Sequence, residues 1–192
     1  MIYIIRHGQT QLNQQNVLQG RSNYPLNETG IQQAMNAAKL LRGVSFQTVF
    51  SSPLIRAVET AECIAPDCEI QTDIRLIEMD YGPYEGMGLS ALTPEVKTFF
   101  QDFVHNPAPD GMEQLEQIVK RTGQFLEEKC RTEDNILLST HAIAMKGILE
   151  YLTPESHGSY WTKYIGNCEI YTAEYRSGSF TLPVRLSESR SV

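Results

Sequence analysis

The sequence predicts an α/β fold: a three-layer α/β/α sandwich with a mostly parallel central sheet, antiparallel strand(s) at its edge and a small cap insertion. Three observations predict it. Short aliphatic runs read as buried strands at Ile2–Ile5, Thr48–Phe50 and Asn135–Thr140. Stretches with helical spacing alternate with them, which favours parallel pairing through helical crossovers. Near the end, Cys168–Tyr175 and Phe180–Arg185 alternate around Ser177-Gly178, as an antiparallel pair does.

The elements follow in order. Ile2-Tyr3-Ile4-Ile5 forms the first strand, and Gly8 marks where the backbone leaves it. A polar loop with Asn13, Gln19, Gly20 and Arg21 leads to a helix carrying Ile31, Ala34, Met35, Ala38 and Leu41, stopped at Gly43. After the Thr48–Phe50 strand, Pro53 suits the first turn of a helix running to about Ile64. A third strand falls near Glu69–Gln71. From Glu78 to Asp110 glycines and prolines break the pattern, so about 78–110 reads as a cap within a single domain spanning 1–192. Phe99, Phe100 and Phe103 fall on a short helix there and are read as cap packing that can also wall a pocket. Asp110-Gly-Met-Glu113 resembles a capping box before an amphipathic helix with Leu115, Ile118, Val119, Phe125 and Leu126. A further helix runs from the end of the Asn135–Thr140 strand through Leu149, and residues after Leu186 read as a frayed tail.

Composition narrows the function. With 192 residues, 41% hydrophobic and 20% charged, the chain is that of an ordinary soluble globule. A formal charge of −7 argues against nucleic acid and acidic membranes as partners and leaves small anions as substrates. The first strand starts at the N-terminus, leaving no room for a signal peptide, and Cys63, Cys68, Cys130 and Cys168 form no C-x-x-C pair. Buried free thiols and a cytoplasmic location are the expectation.

Two strands of this pattern end in histidine, at His7 and His141. In a parallel sheet all strand C-termini face one crevice, so both imidazoles can meet there. Arg6 adjoins the first, and Arg56 lies one helical turn beyond Ser51-Ser52-Pro53. Two guanidiniums and two imidazoles match a tetrahedral dianion. Neutral imidazole is itself a nucleophile, provided a backbone carbonyl near Gly8 holds its other nitrogen as N–H. The leaving alkoxide needs an acid, and Glu78, opening the irregular segment among apolar residues, is the candidate. Glu85 is read as a structural partner at the turn before Gly86, and His105 and His157 carry no assigned role.

Those residues sit in recognisable blocks. Arg6-His7-Gly8-Gln9-Thr10 with Asn13 resembles the R-H-G-x-T-x-x-N signature of the histidine phosphatase superfamily, the phosphoglycerate mutase-like proteins. Ser51-Ser52-Pro53-Leu54-Ile55-Arg56-Ala57 with Thr60-Ala61, then Leu76-Ile77-Glu78 with Gly82 and Glu85-Gly86, then Thr140-His141, resemble its later blocks in the family's order. The resemblance implies a phosphoglycerate mutase-like fold in which His7 becomes phosphohistidine. It implies that Arg6, Arg56 and His141 hold the phosphoryl group and that Glu78 is proton donor and then base. Asn13, Gln19 and Gly20 would complete the substrate pocket, with no metal and no cofactor. Gln9 replaces the commoner glutamate and Ala142 the usual glycine, where one extra methyl could tighten the strand-to-helix turn. Met79 stands where glycolytic mutases carry a carboxylate-binding arginine.

The expected function is hydrolysis of a small phosphorylated metabolite through phosphohistidine. Two alternatives are a 2,3-bisphosphoglycerate-dependent phosphoglycerate mutase and a non-catalytic phospho-ligand sensor. Met79 and the short cap favour hydrolysis, because a mutase must keep water from its intermediate. Exposed sheet edges leave a homodimer open.

Overall fold

The computed structural model describes residues 1–186; the tail expected after Leu186 lies outside the described residues. The strands are β1 (Ile2–Arg6), β2 (Thr48–Ser51), β3 (Ile70–Thr72), β4 (Ile136–Thr140), β5 (Ile170–Ala173), β6 (Tyr175–Arg176), β7 (Ser179–Phe180) and β8 (Val184–Arg185). The helices are α1 (Gln11–Gln14), α2 (Glu28–Leu40), α3 (Ile55–Ile64), α4 (Pro94–Gln101), α5 (Leu115–Lys129) and α6 (Ala142–Leu152), with short 3₁₀ turns between several of them. Six strands form one sheet in the order β3-β2-β4-β1-β5-β8, in which β3, β2, β4 and β1 run parallel and β5 and β8 pair antiparallel at the edge. None of the helices among the described residues is long and apolar enough to cross a membrane.

Both sheet faces are covered, which is why the strands read as unbroken apolar runs rather than alternating ones. On β1 and β4, Ile2, Ile4, Ile136 and Leu138 pack toward Phe125 of α5 and Leu149 of α6. Ile5 and Leu137, pointing the other way, meet Ala37 of α2 and Ala61 of α3. The alternation along each strand thus divides one core into two layers.

Several expected details differ. The α2 helix starts at Glu28, capped by the Asn27 side chain, which accepts from Gly30 N. Its buried face is Gly30, Ala34 and Ala37, whereas Ile31 and Met35 are exposed. Small residues win that face because α2 lies close to the loop leaving β1: a Cβ on Gly8 would come within 2.4 Å of Gly30 O. Pro53 precedes α3 rather than opening its first turn: Leu54 is the N-cap residue, with an extended backbone, and Ser52 Oγ takes the Leu54 N–H. The Asp110–Glu113 capping box is not formed. Gln114 and Gln117 cap α5 reciprocally, leaving Glu113 to pair with Arg121. Phe103 lies beyond the end of α4, though its ring still stacks edge-on against Phe99 at 4.8 Å between centroids.

The C-terminal pair is also subdivided. Ser177 and Gly178, both at positive φ, turn a separate β6–β7 hairpin, while β5 pairs with β8. Pro183, lacking an N–H, falls between β7 and β8. Of the four free cysteines only Cys130 is fully buried, and the other three are half-buried.

Candidate active site

The register of the parallel strands builds the site. Arg6 on β1 faces Thr140 on β4, and Ser51 on β2 faces Ser139, so His7 and His141 leave adjacent strands side by side and Ser52 leaves the third one residue earlier in register. His7 N donates to Thr140 O at 2.9 Å and Ser52 N to Ser139 O at 2.9 Å, extending the ladder one residue past each strand. The two imidazoles lie with centroids 5.0 Å apart.

Hydrogen bonds fix the state of each group. His7 Nδ1 lies 2.6 Å from Gly8 O, and a carbonyl only accepts, so Nδ1 carries the proton and Nε2 keeps its lone pair. That lone pair meets the Nε–H of Arg56 at 3.2 Å. Arg56 is wholly buried, and its other nitrogens donate to Ser22 O and Gly20 O, each at 2.8 Å. Burial pushes its guanidinium down to about 10, still a cation at neutral pH. Arg6 donates from Nη1 to Ile165 O at 2.6 Å, leaving its buried Nε unpartnered among the described residues. His141 Nε2 lies 2.7 Å from Ser52 Oγ, which also accepts from Leu54 N. His141 Nε2 is thus engaged by the Ser52 hydroxyl, and Nδ1 is buried without a partner among the described residues.

Both histidines are held well below the usual imidazole value, first by burial and then by Arg56, with Arg6 adding to it. The sign follows. Below about pH 6.5 the unfolded chain binds protons that these rings refuse in the fold. Unfolding free energy should therefore fall as pH drops below that point, by up to about 1.4 kcal/mol per pH unit for each ring. Denaturant titrations from pH 7.5 to 5 should show this slope reduced in His141→Asn. An unchanged slope would mean that His141 is not held neutral.

Glu78 is held by backbone N–H groups of apolar residues. It is 4% exposed at the N-terminus of α6, where Oε1 accepts from Met79 N, Ala144 N and Ile143 N at 2.9, 3.0 and 3.1 Å. Oε2 takes only a longer bond from Ile143 N, at 3.2 Å. Ala142, at the first turn of that helix, borders the cleft, and the strand-to-helix turn forms with the methyl present.

The other pocket candidates divide. Thr10 Oγ1 donates to Gln19 Oε1 at 2.6 Å, which aims a buried, unpartnered Gln19 Nε2 at the site. Asn13 lines the same cleft, its Oδ1 accepting from Thr10 N. Gly20 does not border it. Its N–H donates to Glu85 and its carbonyl accepts from Arg56, so both backbone groups are committed to holding that arginine. A Cβ there would stand 2.5 Å from Met79 O. Glu85 also accepts from Ser22 N, so the Glu85 carboxylate clamps the turn whose carbonyls carry Arg56. Asn167, unsignalled by any spacing, donates to His7 O at 3.0 Å and borders the cleft. Arg6, His7 and Glu78 open on one cleft of about 540 Å³.

This arrangement sets unpartnered polar atoms of Arg6, Gln19 and His141 around an imidazole whose Nε2 is met only by Arg56, a receptacle for a tetrahedral anion. Residues 2–186 match the histidine phosphatase superfamily, branch 1, and the chain belongs to that family.

Its relatives span several activities. It is 40% identical over 135 residues to fructose-2,6-bisphosphatase TIGAR of Xenopus tropicalis, a match that covers 67% of this chain and 49% of that protein. The chain thus spans about half the length of that relative. It is 30% identical over 190 residues to "Probable phosphoglycerate mutase GpmB" of Citrobacter koseri, covering 95% and 88% of the two chains. Among solved structures, the α-ribazole phosphatase of Shigella flexneri superposes with a TM-score of 0.85 at 26% identity, covering all of this chain and 98% of the other.

Proposed function

We propose that the protein hydrolyses a small phosphomonoester through a phosphohistidine at His7, without a metal. The observation that carries this reading is the His7 ring itself: locked as the Nδ1–H tautomer by Gly8 O, with Nε2 turned toward buried cationic and N–H donors. In the first step the Nε2 lone pair attacks phosphorus in line, the bond to the leaving oxygen breaks, and that oxygen takes the electron pair. Arg6, Arg56, His141 and Gln19 neutralise charge on the non-bridging oxygens. Glu78 supplies the proton the leaving oxygen needs, from Oε2, the less engaged carboxyl oxygen. In the second step the Glu78 carboxylate takes a proton from water as it attacks phosphorus, and the P–N bond returns its electrons to the imidazole.

The substrate in this reading is a small phosphorylated metabolite rather than nucleic acid or membrane lipid, in keeping with the net charge of −7. The four free cysteines agree with a reducing, cytoplasmic setting. Phosphatase names among the relatives and structural neighbours support hydrolysis. The named mutase relative makes interconversion the competing reading. Met79 does not decide between them, since it is fully buried beside Tyr81 and Leu18 and does not border the cleft.

The purified protein should release phosphate from p-nitrophenyl phosphate with undiminished rate in excess chelator. Dependence on added divalent metal would contradict the reading. Efficient primer-dependent conversion of 3- to 2-phosphoglycerate would replace it with the mutase.

A further inference from the structure

We infer that the leaving group is a neutral, hydroxyl-bearing ring compound, a sugar or nucleoside, rather than one carrying a carboxylate or a second phosphate. This rests on the phosphatase reading and deepens it. Beyond the residues assigned to the phosphoryl group, the cleft wall combines carboxamides and rings with aliphatic side chains such as Val17 and Leu89. Gln14 and Asn16 supply amides, Asn167 an amide oxygen whose nitrogen is held by His7 O and Asn13 Oδ1, and Tyr81, Phe100 and Tyr164 the rings. Amides donate to and accept from hydroxyls without needing a counter-charge, and flat apolar faces cover the face of a sugar or base.

An anionic leaving group finds no such match. Among the described residues Arg6 is the only cationic side chain bordering the cleft, and in the phosphatase reading it is committed to the phosphoryl group. The neighbouring cations are engaged elsewhere. Arg21 pairs with Asp80 at 2.9 Å, and Lys146 Nζ donates to Trp161 O at 2.8 Å against the Phe103 ring. A second anion would share the cleft with the Glu78 carboxyl and find no further cationic side chain there among the described residues. The bisphosphate for which the TIGAR relative is named would meet that obstacle here.

Matched pairs of esters test the inference at pH 7. Glucose 6-phosphate is compared with 6-phosphogluconate, and glycerol 3-phosphate with 3-phosphoglycerate, with p-nitrophenyl phosphate as the common reference. In each pair kcat/KM should favour the neutral alcohol by about tenfold or more, equivalent to about 1.4 kcal/mol. Gln14→Lys, placing a cation on the wall, should narrow the gap by raising kcat/KM for the carboxylate member. If His7-dependent hydrolysis of the reference ester persists but the anionic members are equal or better, this inference falls and the phosphatase reading stands. If no ester is hydrolysed in a His7-dependent way, both fall.

Discussion

His7→Ala should lower phosphatase turnover by about 10³-fold or more, the scale on which removal of a covalent nucleophile is felt. The variant loses Nε2 and nothing else of the cradle. Arg56 remains tied to Gly20 O and Ser22 O, and His141 remains tied to Ser52. Substrate should therefore still bind, and calorimetry should find affinity within about tenfold of the wild type while kcat collapses. The change leaves Gly8 O and Arg56 Nε without their imidazole partner, so a stability loss of about 1–3 kcal/mol is expected. A folded variant that turns over at the wild-type rate would remove His7 as nucleophile.

Glu78→Gln should separate proton donation from binding. For an ester with a poor leaving group, such as a sugar phosphate, the rate of His7 phosphorylation should fall by about 10²–10⁴-fold. For p-nitrophenyl phosphate, whose leaving oxygen needs little protonation, the same step should fall far less. Glutamine keeps an oxygen for the backbone N–H groups of Met79, Ile143 and Ala144, so the fold should survive the change. Rapid mixing with both esters measures the two ratios. An equal loss on both would make Glu78 a positioning residue for α6 rather than the acid.

The parts of this site that were legible lie where local chemistry interrupts a local pattern. A run of buried aliphatic residues ending in Arg6-His7-Gly8, and another ending in Thr140-His141, reveal strand ends because charged groups cannot continue a strand buried on both faces. Parallel pairing then brings those ends together without further information. Long-range contacts were not legible. Glu78 meets the first turn of α6 across 65 residues, and Asn167 reaches His7 O across 160. Nothing near either position in the sequence encodes the partner. The backbone bonds of Gly20 are of the same kind, since they serve Glu85 and Arg56, both distant in the chain. In α2 the spacing of large side chains pointed to Ile31 and Met35, but close approach to the β1 loop selected the small residues instead. Sequence periodicity cannot see such a steric demand.

The proposed reaction passes through a covalent bond between phosphorus and His7 Nε2. Enzyme mixed with a phosphomonoester, quenched in alkali to protect the acid-labile P–N bond and digested, should yield the peptide containing His7 with one added phosphoryl group. That species should form at up to one equivalent and decay at the rate of phosphate release. Rapid phosphate release with no phosphoryl group on His7 at any time, or with one on another residue, would contradict it.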